Sequence, residues 1–156
     1  MRNFLLGIIS DTHGLLRPEA LDALKGSQAI IHAGDVGNPT ILDQLKAVAP
    51  VFAVRGNVDT EPWTSSLPRT AVVELQDVSI YVLHNLEQLN LNPKTAGFHI
   101  VISGHTHKPD SHWHDGVFYI NPGSAGPKRF HLPVTVAHLQ LLQMPWQSEL
   151  LHLPVA

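Results

Sequence analysis

Phe4-Leu5-Leu6-Gly7-Ile8-Ile9-Ser10 runs straight into Asp11-Thr12-His13, a short apolar stretch delivering two cation-binding side chains. The same arrangement recurs along the chain. Ala29-Ile30-Ile31-His32 leads to Gly34-Asp35, and Val51-Phe52-Ala53-Val54 leads to Gly56-Asn57-Val58-Asp59. Ile80-Tyr81-Val82-Leu83 stops at His84, and Ile100-Val101-Ile102-Ser103 precedes Gly104-His105-Thr106-His107. A sixth such run is Val117-Phe118-Tyr119-Ile120. Brief continuous runs rich in Ile and Val fit strands buried on both faces.

The segments between the first three runs carry helix signals. Pro18 opens a helix that stops before Gly26; Asn38-Pro39 opens a second, expected to reach Ala49 ahead of Pro50; Asn92-Pro93 opens a short third, stopped at Gly97. Pro in the first turn and Gly after the last are the expected asymmetry. The first half therefore reads β-α-β-α-β, which implies parallel strands. The second half reads as hairpins, with links at Gln76-Asp77 and Asp115-Gly116, the latter suited to two positive-φ positions. The stretches 133–141 and 149–153 read as closing antiparallel strands. The predicted fold class is mixed α/β with two sheets packed together.

The 156 residues include 44% apolar ones, 10 Lys+Arg against 13 Asp+Glu, 11 His and no Cys. This is enough for a hydrophobic core and is of the size of one domain, expected over 1–156. A net charge of −3 speaks against a generally basic nucleic-acid binder. The absence of Cys excludes disulfides, thiolate metal sites and a cysteine nucleophile, and it fits a cytoplasmic protein. The apolar run after Met1-Arg2-Asn3 is too short for a secretory leader. No stretch approaches the ~20 apolar residues that span a bilayer.

In an open α/β sheet, ligands bind beyond the carboxyl ends of the strands. Five runs would aim Asp11, His13, Asp35, Asn57, His84, His105 and His107 at one rim. In extended chain, residues two apart share a face, so Asp11 with His13, and His105 with His107, are expected to face one ion each. Carboxylate, imidazole and amide oxygen without sulfur suit Mn²⁺, with Fe, Zn²⁺ or Ni²⁺ as alternatives. Seven ligands exceed the needs of one ion, so a pair of divalent ions sharing a carboxylate is expected. Two such ions hold a hydroxide and clamp a phosphoryl oxygen.

Taken in order, Asp11-x-His13, Gly34-Asp35, Gly56-Asn57-x-Asp59, His84 and Gly104-His105-x-His107 resemble the calcineurin-like metallophosphoesterases. Small size and Asn121-Pro122-Gly123-Ser124 resemble the compact bacterial and archaeal phosphodiesterase branch. The resemblance implies a two-sheet β-sandwich flanked by helices and a hydrolase that cleaves phosphodiester bonds of a small substrate. It places Asp11, His13, Asp35 and His107 on a first ion and Asp35, Asn57, His84 and His105 on a second, with Asp35 between them. Asn57 and Asp59 are the candidate catalytic residues, Asp59 by orienting a ligand or water.

Two departures stand out. Val58 occupies a position where many members carry His, which predicts slower turnover and a preference for leaving groups that depart without a proton. Asn85 replaces a Gly, and a left-handed backbone there is the expectation. Arg55 and Arg129 are candidates for phosphate contact. His32 is expected to be packed and hydrogen-bonded, and His112 and His114 to line a solvated strand face. The alternatives to a phosphodiesterase are a phosphomonoesterase or nucleotidase on the same site, or a non-catalytic interaction scaffold of this fold. Homo-oligomerisation is a further expectation; membrane and nucleic-acid partners are not expected.

Overall fold

Leu5–Ile9 (β1) alternates its side chains between two apolar layers, and that alternation builds the centre of the fold. In the computed structural model, which describes residues 4–129 and 131–155, Leu6 and Ile8 enter a core between two sheets, while Ile9 packs under helices. Met1-Arg2-Asn3, with which the leader reading begins, lie outside the described residues. Ala29–His32 (β2) follows the same rule, with Ile31 between the sheets and Ile30 toward the helices. Fully burying each such side chain is worth roughly 1.5–3 kcal/mol. These few residues therefore weigh heavily in a marginal total.

The order along the chain is β1, Pro18–Leu24 (α1), β2, Pro39–Lys46 (α2), Val51–Ala53 (β3), Thr70–Leu75 (β4), Val78–Leu83 (β5), Pro93–Ala96 (α3), Ile100–Ile102 (β6), Asp110–His114 (β7), Val117–Asn121 (β8), Thr135–Gln140 (β9) and Gln147–His152 (β10). Two five-stranded mixed sheets result, ordered β10-β9-β1-β2-β3 and β4-β5-β6-β8-β7. β1, β2 and β3 are parallel, as are β5, β6 and β8, and the hairpins β4/β5 and β7/β8 are antiparallel. Ala20, Leu24, Ile41 and Leu45 of the first two helices cover the outer face of the first sheet. Tyr81, Leu83, Val101 and Val117 form a smaller apolar patch on the outer face of the second, against Leu89, Leu91 and Phe98. The mixed α/β, two-sheet class is as the sequence predicts. Among the described residues no helix is long and apolar enough to cross a membrane.

The helix starts follow their signals. The Asn38 side chain accepts from Thr40 N at 3.0 Å, and that of Asn92 accepts from Thr95 N at 3.2 Å, satisfying amides that the helices leave open. Gly97 closes α3 in the left-handed conformation. α2 stops at Lys46 rather than at Ala49. The residue before Pro50 is barred from helical geometry, and the last turn tightens, with Val48 N donating to Leu45 O at 2.9 Å. Burial on both faces fails at β3, an edge strand with Phe52 exposed.

Candidate metal centre

Asp11 Oδ1 is the point on which the rim converges. It lies 3.3 Å from His107 Nε2, 3.6 Å from His13 Nε2 and 3.7 Å from His84 Nε2. Asp35 Oδ2 lies 3.1 Å from His84 Nε2 and 3.7 Å from His13 Nε2. Among the described residues, two groups could each hold a metal ion: Asp11 with His13 and His107, and Asp11 with Asp35 and His84. They meet at Asp11, while Asp35 touches an imidazole of each.

Local backbone, not strand alternation, produces this convergence. Asp11, His13, Asp35, His105 and His107 all have φ between 47° and 73°. Left-handed backbone is unfavourable for L-residues and gathers at functional sites, where the surroundings over-determine it. The expected extended pairs Asp11/His13 and His105/His107 are therefore corrected. They approach one another through consecutive tight turns beyond β1 and β6. The expected left-handed Asn85 is corrected too: its φ is −112°, and its side chain instead accepts from Glu87 N at 3.1 Å.

Those turns are pinned by named contacts. Ser10 Oγ donates to Asp11 Oδ2 at 2.7 Å, and His105 N donates to the same oxygen at 3.1 Å. Asp11 O accepts from Ser124 Oγ at 3.0 Å, and Asn121 Nδ2 donates to Gly104 O at 2.9 Å. The Asn121–Ser124 loop thus ties the Asp11 turn to the His105 turn. A Cβ on Gly104 would meet Ser10 Oγ and, at 2.7 Å, Asp11 Oδ2, so this close approach requires glycine. His32 accepts from Gly34 N at Nδ1 (3.1 Å), which leaves its proton on Nε2, donated to Thr12 Oγ1 at 3.0 Å. Thr12 Oγ1 in turn donates to Val36 O at 2.8 Å. Ser10, Thr12, Asn121 and Ser124 were not singled out from sequence as functional side chains. Their signal is the polar residue beside each ligand turn.

Electrostatics matches the geometry. Burial pushes the Asp11 carboxyl up, but the imidazoles of His107 and His13, the His84 charge and the Ser10 hydroxyl outweigh it, holding it well below the usual carboxylate range. Burial also opposes ionisation of Asp35, and contact with His84 and the Val58 N–H prevail, lowering it. For His84, burial disfavours the charge, while Asp35 and Asp11 raise its pKa above the ordinary value. Burial pushes His32 down to about 4, against the pull of Asp11 and Asp59.

The donor set fits a divalent cation. Asp11 Oδ1 and His84 Nε2 are buried and have no hydrogen-bond partner among the described residues, although they face other ligand atoms. The opposite nitrogen of His84, Nδ1, lies 2.7 Å from Ala33 O. A proton held there leaves the Nε2 lone pair pointing into the cluster, the tautomer a metal ligand needs.

Other site candidates lie as follows. His105 is exposed, with its ring 5.3 Å from that of His84. Asn57 is exposed and shares a cavity wall with His84 and Arg55. Asp59 is buried, and its carboxylate accepts from Gly56 N at 2.9 Å, Val36 N at 3.2 Å and Gly37 N at 3.3 Å. Asp59 thereby braces the loops that carry Asp35 and Asn57. Val58 is exposed, and its N–H donates to Asp35 Oδ1 at 3.0 Å, so the position serves Asp35 through backbone alone. Arg129 is exposed and makes none of the contacts that build this rim. His112 stacks on Tyr119, with centroids 5.3 Å apart, in a groove of about 820 Å³ that reaches His105.

A two-sheet α/β fold with carboxylates and imidazoles gathered beyond its parallel strands defines the class, a metal-dependent phosphoesterase scaffold. The chain belongs to the calcineurin-like phosphoesterase superfamily, whose domain matches residues 4–144. It is thus a hydrolase acting on ester bonds, in a family that uses divalent metals. It is 39% identical over 133 residues to a probable metallophosphoesterase of Methanocaldococcus jannaschii, covering 77% of this chain and 67% of that one. It is 30% identical over 145 residues to the phosphodiesterase YfcE of Escherichia coli, covering 74% and 76%. Vps29 of Chaetomium thermophilum shares the fold with a TM-score of 0.79 at 19% identity, over 93% of this chain and 86% of that one.

Proposed function

We propose that this chain is a phosphodiesterase, one metallophosphoesterase domain acting on a small phosphodiester with a pair of divalent ions, Mn²⁺ foremost. The observation that carries this reading is the meeting of Asp11, His13, Asp35, His84 and His107 within 3.1–3.7 Å contacts. As the family resemblance implies, Asp11, His13, Asp35 and His107 would hold one ion and Asp35, Asn57, His84 and His105 the other. When bound, the ions would activate water for attack and neutralise charge on the phosphoryl group.

The chain's own residues prepare that chemistry. Asp11 and Asp35 stay ionised at neutral pH, because the imidazoles around them favour the charged form. The backbone contact at Ala33 fixes the ring of His84. Val58 supplies no proton to a leaving group, so esters of acidic alcohols and phenols are favoured. The resemblance to YfcE supports a diester over a monoester.

The test compares a bis-aryl phosphate with its mono-aryl analogue, together with metal analysis of the purified protein and of Asp35→Ala. Faster Mn²⁺-dependent turnover of the diester, lost with metal in Asp35→Ala, is expected. Faster monoester turnover would move the reading to a phosphomonoesterase. A wild-type protein without metal-dependent turnover would make it a scaffold.

A further inference from the structure

Beside His84 lies a cavity of about 300 Å³ whose walls include Arg55, Arg69, Asn57 and Asn85. No Asp or Glu lines it, in a chain whose net charge is −3. Among the described residues neither arginine is in an ion pair, and Arg55 Nε is buried without a hydrogen-bond partner. Both arginines line this cavity, and Arg55 N donates to Pro68 O at 2.7 Å, next to Arg69. Arg55 is half-buried and Arg69 exposed, and neither charge is balanced by a carboxylate on this wall. The guanidinium fork is shaped for the paired oxygens of a phosphate or carboxylate.

Resting on the phosphodiesterase reading, we propose that this cavity is the subsite for an anionic group carried by one arm of the ester. The substrates it fits are diesters bearing a second negative charge, a phosphate or carboxylate, on the arm that lies past His84. The reacting phosphoryl group stays at the Asp11–Asp35 cluster, and the second anion meets Arg55 and Arg69. The amides of Asn57 and Asn85 add further polar contacts on the same wall. The arm, rather than the reacting phosphorus, is thus what these arginines select.

Two p-nitrophenyl phosphodiesters test this, alike except that the second arm ends in a phosphate in one and a hydroxyl in the other. Arg69→Gln is the variant, chosen because Arg69 is exposed and its loss leaves no hole in the core. The loss in kcat/KM on the phosphate-bearing diester should exceed that on the hydroxyl-bearing one by about tenfold, the worth of one charge-assisted contact. Equal losses on both would overturn the proposal, because the arginine would then act on the reacting group or on the fold. Calorimetric titration of inorganic phosphate into protein stripped of metal and then dialysed free of chelator gives a readout without turnover. Binding to wild type that weakens about tenfold in Arg69→Gln supports the subsite; no binding, or binding unchanged in the variant, overturns it. If wild type hydrolyses neither diester while phosphate still binds through Arg69, the phosphodiesterase reading falls and the anion site stands.

Discussion

The left-handed backbone conformation appears in two regions of this molecule with opposite settings. At the hairpin tips, Gln76, Asp77 and Asp115 adopt it in exposed turns, where it only reverses the chain. At the rim, Asp11, Asp35 and His107 adopt it while buried, each held by contacts from other segments. Asp11 N donates to Gly34 O at 3.0 Å and His13 N to Asp35 O at 2.9 Å, so each strained turn props the next. The tips are local; the rim is a mutual arrangement that no single turn could sustain. Strain at a tip can be removed at no functional loss, whereas strain at the rim is what points the ligands at one another.

Substitutions can separate these regions. Asp35→Ala should lower Mn²⁺-dependent diester turnover by about 10³-fold, about 4 kcal/mol, and release metal, as steady-state kinetics and metal analysis would record. A rim that tolerates this change is only a scaffold.

The next effect concerns the packing behind the ligands. His32 is neutral in the fold, with its pKa pushed down to about 4, whereas the unfolded chain holds it near the ordinary 6.5. Between those values the unfolded chain binds the extra proton, so this stabilisation is complete above about pH 6.5 and drains away as pH falls toward 4. The gap corresponds to about 3 kcal/mol. Urea midpoints in EDTA should fall more steeply from pH 7 to about pH 4.5 for wild type than for His32→Gln.

Gly104→Ala, which pushes a methyl group into Ser10 Oγ and Asp11 Oδ2, should lower stability by about 2 kcal/mol and weaken metal retention. Differential scanning calorimetry and metal titration would register both. Gln76→Gly, at a tip, should raise stability by about 0.5 kcal/mol through relief at positive φ and leave kcat/KM unchanged. Should the tip variant alter turnover, the division between tips and rim is wrong.

The strands and helix starts were legible because each is decided locally. Ile- and Val-rich runs, Asn-Pro caps and the Asp115-Gly116 link each carry their own physical reason. The ligand residues were legible through type and order, since Asp and His following successive apolar runs have few other uses. Their manner of meeting was not. Residue spacing suggested extended alternation, whereas the turns at Asp11 and His105 are stabilised by Ser124 and Asn121 across long sequence distances, with Ser10 adding a local bond. The partners of Asp59 were hidden for a related reason: the three amides that its carboxylate accepts from meet only once the loops have folded. Arg69 gave no signal because its meaning arises from Arg55, which lines the same cavity.

Asp11, His13 and Asp35 hang from one sheet, whereas His84, His105 and His107 hang from the other, and Leu6, Ile8, Ile31, Ile80 and Ile102 fill the seam between. The site therefore works like a vernier, its two scales engraved on separate plates. A slip of the plates by a fraction of an ångström, from a methyl group lost far from any ligand, would detune the reading while every strand stayed intact. Variants at that seam should forfeit cation affinity well before they melt.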